Sequence, residues 1–368
     1  MTAALRVVLI GAGARAQKLY VPWLSGQPPF PSDAARPVAV LDADLDCARS
    51  LAADLPSVLA TRPPDLERVL ADTRPDLVVV ATPDATHRTY AERALAAGCS
   101  TLVEKPLATT IADASALVRT ADASPARLLV AHNLRFTNIH TRVHQLLRER
   151  RIGTVVSADF HYTLNHSHAY SYFTRWHRTR AASGGLEVTK ASHHLDLLTW
   201  WLAARPVAVT AVLEHRHYRP GAPNIPPDSD IHDTIHALIE YNSGATVHYE
   251  LTVNAPRDGY TCTLHGTEGT CRIRYDARSG PHIVHLNTLT DHIGVRHRLT
   301  REDGSHAGAD RRMLAALPTA LAPDAAQQHF ATAAEAAMAV ATGVTMHNAS
   351  SQSRRLPIPQ PTTTGEPT

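Results

Sequence analysis

Lysine is the residue this sequence uses least among its cations. Against a total of 36 Lys plus Arg, amines occur only at Lys18, Lys105 and Lys190, so arginine is written wherever a cation merely has to be soluble. Cysteine is scarce too: Cys47, Cys99, Cys262 and Cys271 lie far apart with no C-x-x-C pair, which excludes a zinc ribbon and a disulfide framework and leaves reduced, structural thiols. An excess of one charge is also absent. The 36 basic residues face 34 acidic ones, a net charge of +2 spread without blocks, which offers no footprint for nucleic acid or an anionic membrane. No apolar run reaches the length of a membrane span, and the chain opens on "LRVVLIGAG" rather than on a basic leader. These absences predict a cytoplasmic protein with a small-molecule partner.

What is present is enough chain for two cores, since single cores usually stop growing before 368 residues. The run "LRVVLI" ends in "GAGARA" and a helix-compatible segment, "PVAVLDAD" repeats the pattern, and "PDLVVVATP", "STLVEKP" and "ARLLVAHNLRF" add three more apolar runs. Five strands alternating with helical segments predict an α/β, doubly wound parallel sheet. From about residue 153 the period changes to two, in "TVVSADFHYTL", "TIHALIEYNSGATVHYELTV" and "YTCTLHGTEGTCRIRY". The turn sequences Asn242-Ser243-Gly244 and Thr267-Glu268-Gly269 then predict hairpins in an antiparallel sheet solvated on one side. The expected organisation is a nucleotide-binding domain over 1–131, an α+β domain over 132–358 with a helical interval at 310–345, and a frayed Pro/Thr-rich tail over 359–368.

Gly11, Gly13 and Ala16 form G-x-G-x-x-A between a strand and a helix, where the backbone must approach a pyrophosphate. Asp42, at the end of the second strand, is placed to accept from both ribose hydroxyls and repel a 2′-phosphate, favouring NAD over NADP. Arg15 and Arg49 are the nearby cations that could offset this preference. Thr82, Pro83, His87, Glu104 and Lys105 fall at or just beyond the carboxyl ends of later strands, where ligands of open α/β sheets bind. An amine at Lys105 can hydrogen-bond a substrate hydroxyl and have its pKa lowered by burial, which a guanidinium cannot match. In "SGGLEVTKASHHLDLLTWW", helical spacing sets Thr189 with His193 and His193 with Asp196 on one face, while Lys190 and His194 form a second pair. Trp176 and His177 of "YFTRWHRTR" are candidates to pack on a sugar ring. The 23 histidines include no H-E-x-x-H or other fixed ligand spacing, so no metal is expected.

In this order, "GAGARA", Asp42, "ATPDATHRTYAERALAAGCSTLVEKPLA", "NLRF" and "GGLEVTKASHHLD" resemble the Gfo/Idh/MocA family, named for glucose-fructose oxidoreductase, inositol dehydrogenase and a rhizopine catabolism protein. The resemblance implies a Rossmann domain followed by a domain with a large, open, mainly antiparallel sheet that often mediates homo-oligomerisation, here into a dimer or tetramer. It also implies NAD(P)-dependent oxidation or reduction of a secondary alcohol on a sugar, sugar derivative or cyclitol. Lys105 then matches the lysine beside the substrate hydroxyl, His193 the acid-base histidine and Asp196 a substrate-contacting acid, with Arg135 of "NLRF" beside the substrate. Thr189 departs from the pattern, because many members carry Asp there, and a hydroxyl can orient an imidazole but cannot stabilise an imidazolium by charge. The segment resembles a branch reading Y-F-x-R-W-H, then K-x-[ST]-H-H-x-D, in which Lys190 and His194 share in substrate recognition. Two further readings the resemblance implies are a nicotinamide-binding regulator without turnover and a glycosidase that uses NAD with no net redox change.

Overall fold

A computed structural model describes residues 4–361 apart from 32, 278–280, 292 and 323–328. In its N-terminal half the apolar runs become strands: β1 (Leu5–Ile10), β2 (Ala35–Leu41), β3 (Leu59–Thr61), β4 (Leu77–Val80), β5 (Thr101–Val103) and β6 (Leu128–Val130). They pair in parallel in the order β3-β2-β1-β4-β5-β6. The five strands expected become six, because β3 is a three-residue edge strand, too short for a period to show. Connecting helices are α1 (Val21–Leu24), entered through a π turn at Ala16–Tyr20, then α2 (Leu45–Ala53), α3 (Leu66–Thr73), α4 (His87–Ala96) and α5 (Ile111–Ala123). Side-chain caps set where two of them start: Asp44 accepts from the backbone N–H groups of Asp46 and Cys47, and Thr110 from that of Asp113. The strand order reverses between β1 and β4, which opens a crevice at their carboxyl ends.

Beyond β6 the expected strand stops at Val130, and Asn133–Phe136 form a 3-10 turn. Then come α6 (Asn138–Arg148), β7 (Val155–Asn165), α7 (His166–Thr174), α8 (Arg180–Ser183), α9 (Leu186–Thr189) and α10 (Ser192–Leu202). The second sheet adds β8 (Pro206–Glu214), β9 (Thr234–Tyr241), β10 (Thr246–Ala255), β11 (Gly259–Gly266), β12 (Gly269–Asp276), β13 (His282–Thr288), β14 (Val295–Leu299) and β15 (Leu356–Pro357). Its nine strands run β14-β13-β12-β11-β7-β10-β9-β8-β15. The two predicted turns join β9 to β10 and β11 to β12, while the central pair β7 and β10 is parallel. Alternation along single strands does not carry that pairing.

The helical interval resolves into α11 (Ala309–Ala320) and α12 (Ala333–Ser351), with 323–328 outside the described residues. Of the expected tail, Gln360 donates to the Pro206 carbonyl at 3.1 Å, and 362–368 lie outside the described residues. Both helices return to the first sheet. Met313, Leu314 and Leu317 of α11 pack with Val7, Leu9 and Trp23 on one face, and Ala336, Ala337 and Val340 of α12 pack with Val8, Val80 and Val103 on the other. The far side of α12, through Met338, Ala341 and Met346, joins the core of the nine-stranded sheet. Among the described residues, no helix is long and apolar enough to cross a membrane.

Candidate active site

The glycine turn packs tightly on one side and is open on the other. A Cβ on Gly11, at φ +102°, would fall 2.4 Å from the Ala81 carbonyl oxygen, whereas one on Gly13 would meet nothing within 4 Å. The protein therefore needs Gly11 for its own packing, and the clearance at Gly13 fits a ligand's phosphates against the backbone. Asp42 accepts from the Ala12 N–H at 2.7 Å, which fixes its carboxylate against the turn. Arg15 is committed elsewhere. Its Nε donates to Glu104 Oε1 at 2.6 Å, and its two terminal nitrogens donate to Asp310 at 2.8 and 2.9 Å. Tyr20 also donates to Glu104, so Arg15 and Glu104 brace the turn rather than face a ligand. Arg49 is exposed beside Asp46. Ala16 is buried in the first turn after the glycines, where its small side chain allows close packing on the sheet.

At the ends of β4 and β5, His87 is buried with Nδ1 2.7 Å from the Pro106 carbonyl and Nε2 3.0 Å from the Thr82 carbonyl. It ties the Thr82-Pro83 turn to the segment carrying Lys105. The Lys105–Pro106 bond is cis. The Lys105 ammonium donates to the Thr189 carbonyl at 2.8 Å, joining the first sheet to α9. Burial pulls its pKa below the ordinary lysine value against the attraction of Asp84. Asp84 was not singled out from the sequence, although it directly follows Thr82-Pro83. Burial raises its carboxyl, which lies beside Lys105 and the Thr189 side chain.

His193, on the first turn of α10, reaches the same crevice. Burial and then the charges of Lys105 and Lys190 hold its pKa well below the usual histidine value, leaving a neutral ring whose Nδ1 has no hydrogen-bond partner among the described residues. Lys190 lies over the Tyr162 ring, 4.9 Å from its centroid. Three further histidines close in. His132 sits 6.4 Å from His193, ring to ring, and His306 6.0 Å. His177 feels the charge of Lys105 and is driven down to about 3, chiefly by burial. Trp176 stacks on His177 at 3.6 Å, a half-buried wall at the edge of the crevice.

Three residues expected to touch substrate are engaged in the interior. Arg135 and Asp196 form a two-pronged pair at 2.8 and 2.7 Å, both almost wholly buried. Each neutralises the other, and Asp196 also lies 3.9 Å from His132 Nδ1. The His194 ring is 4.2 Å from Tyr162, with Nδ1 on the Tyr249 hydroxyl at 2.9 Å, so it faces the nine-stranded sheet. Sequence reasoning also missed Asp310 and His306, joined at 2.9 Å. Their i,i+4 spacing was visible, but their approach to Arg15 and His193 is not a local property.

A parallel sheet of doubly wound order with an open glycine turn after its first strand defines the class as a nucleotide-binding α/β fold. Residues 5–132 match the family described as "Oxidoreductase family, NAD-binding Rossmann fold" and residues 144–358 match "Oxidoreductase family, C-terminal alpha/beta domain", and the chain belongs to this Gfo/Idh/MocA family. Its similarity to inositol 2-dehydrogenase 1 of Saccharopolyspora erythraea is 33% identity over 64% of this chain and 65% of that protein. The oxidoreductase YteT of Bacillus subtilis is 29% identical over 55% of this chain, which spans 61% of the length of that relative. A solved levoglucosan dehydrogenase in complex with NADH and L-sorbose has the same fold, with a TM-score of 0.83, 20% identity and coverage of 98% of this chain and 100% of that one.

Proposed function

We propose that the protein transfers a hydride between the nicotinamide of NAD and a secondary alcohol or ketone carbon of a small polyhydroxylated ring, a sugar, sugar derivative or cyclitol. The observation that carries this reading is the approach of the Lys105 ammonium to the neutral His193 ring, whose Nδ1 makes no hydrogen bond among the described residues. Gly11, Gly13 and Ala12 would hold the cofactor's pyrophosphate, and Asp42 its ribose. The bound nicotinamide supplies the acceptor or donor of the hydride. In the oxidative direction His193 takes the hydroxyl proton, and Lys105 donates to the substrate oxygen as negative charge develops there. Thr189 acts through its carbonyl, which aims the lysine, while Asp84 supplies a nearby carboxylate that the threonine lacks. Lys190 and Trp176 are assigned to the ring's remaining hydroxyls and apolar face.

The commitment of Arg15 to Glu104 and Asp310 supports NAD over NADP, since that guanidinium is not offered to a 2′-phosphate. The lysine and histidine kept together support turnover over a purely sensing role. Exposed Val212 and Leu238, on adjacent strands of the open sheet, support pairing with a second copy of the chain. The test is thermal-shift titration with NAD, NADH, NADP and NADPH, followed by a screen of NADH absorbance against inositols, hexoses and their keto forms. Stabilisation by NADH with ring-dependent turnover is expected. Absence of turnover with every cyclic polyol and keto sugar, despite cofactor binding, refutes the substrate class.

A further inference from the structure

Outside the crevice, three residues distant in sequence present ligand atoms to one another. Glu187 lies on α9, His232 in the segment entering β9 and His347 near the end of α12, and one ligand atom from each lies within 4.8 Å of the other two. Their hydrogen bonding is incomplete. Glu187 is fully buried, and its Oε2 makes no hydrogen bond among the described residues, nor does Nδ1 of His232, while His347 Nδ1 makes none but lies 3.4 Å from Glu187 Oε1. Buried polar atoms without a hydrogen bond cost folding free energy, and a cluster of them around one carboxylate points to a shared partner.

We propose that Glu187, His232 and His347 bind one divalent first-row transition-metal ion of the Zn²⁺ or Co²⁺ kind. Two imidazoles and a carboxylate suit such ions, whereas Mg²⁺ and Ca²⁺ favour all-oxygen sets. The carboxylate is held by its surroundings. A Cβ on Gly185 would fall 2.4 Å from Glu187 Oε2, and one on Gly343 would fall 2.1 Å from the Glu187 carbonyl oxygen. Arg180 pairs with Oε1, which His347 Nδ1 also approaches at 3.4 Å, and so balances the buried charge, while Oε2 makes no hydrogen bond among the described residues. The His215 ring lies 4.5 Å from His232, and its Nδ1 is likewise unpartnered. The function follows from α9, which carries both Glu187 and the Thr189 carbonyl that holds Lys105: the ion ties α9 to α12 and stiffens the seat of the crevice lysine.

A second group, Asp159, His161 and His248, also meets the distance condition but sits on the solvated face of the sheet. There His161 is paired with Glu250 at 2.9 Å, and His248 approaches Asp159 at 3.7 Å, so it serves as the control. Tag-free, chelator-treated full-length protein is titrated with Co²⁺ alone, following visible d–d absorbance, and then with Zn²⁺ in competition. One equivalent of Co²⁺ displaced by Zn²⁺ is expected, with H232Q and H347Q each weakening binding by about tenfold or more. H161Q/H248Q should bind as the parent does. Circular dichroism of each variant separates lost binding from lost folding, and the parent's stoichiometry tests the site without any substitution. Absence of Co²⁺ absorbance in the parent, or binding lost in H161Q/H248Q and kept in H232Q and H347Q, overturns the assignment.

Discussion

Gly11 and Gly13 differ by two positions in one motif and should fail in different ways. Gly11→Ala puts a Cβ against the Ala81 carbonyl in the left-handed region, so a loss of at least about 1–3 kcal/mol of stability is expected from strain alone. Gly13→Ala meets no protein atom and should stay within about 0.5 kcal/mol of the parent. It should nevertheless weaken NADH binding on the order of tenfold, and denaturant melts beside fluorescence titrations check the pair. At Lys105, substitution by Met or Arg is expected to lower kcat about 10²- to 10⁴-fold with NADH binding retained. The pH profile for oxidation has its sign set by two lowered pKa values. His193 acts unprotonated in the proposed step, so activity falls only as pH drops well below 6.5, and Lys105 acts protonated, so activity falls again as pH rises through a value under 10.5. At this scale the turn and the lysine were legible because short local motifs specify them. Asp84, His132 and His306 were not, because their roles come from burial and from neighbours distant in sequence.

Arg135 shows the same limit between elements. It follows β6 and holds Asp196 on α10, and in the sequence both look like polar groups available to a ligand. Removing one partner leaves a buried charge alone, so Asp196→Ala is expected to cost about 3–5 kcal/mol in urea unfolding. Replacing both with apolar residues of similar volume should recover much of that loss. A raised KM with unchanged stability would return Asp196 to the substrate. Element type was readable from period and turn residues along most of the chain. The short β3 and the parallel β7–β10 pair were not, since one has too few residues and the other depends on partner choice.

Across the whole molecule, α11 and α12 come late in the chain yet cover both faces of the first sheet. A fragment ending at residue 131 should therefore fail to fold cooperatively, whereas the full chain should unfold in a single calorimetric transition. Asp310 contributes to this unity, since it holds Arg15 of the glycine turn, Asn133 after β6 and His306. Burial alone would raise its carboxyl, but His306 and Arg15 hold it well below the usual carboxylate range. Its stabilising contribution is thus complete above the unfolded pKa of 3.8 and is lost as pH falls through the lower folded value. D310N should be less stable than the parent at neutral pH, and the two should converge in strong acid.

The scarcity of lysine has an analytical consequence. Of the three lysine side chains, Lys18 is exposed, whereas Lys105 and Lys190 line the crevice. An amine-acylating reagent therefore meets a single exposed lysine, Lys18, as a fixed background against which labelling of the two crevice amines is read. The intact mass of the labelled protein, taken with and without a bound ligand, then reports whether the ligand shields those two amines.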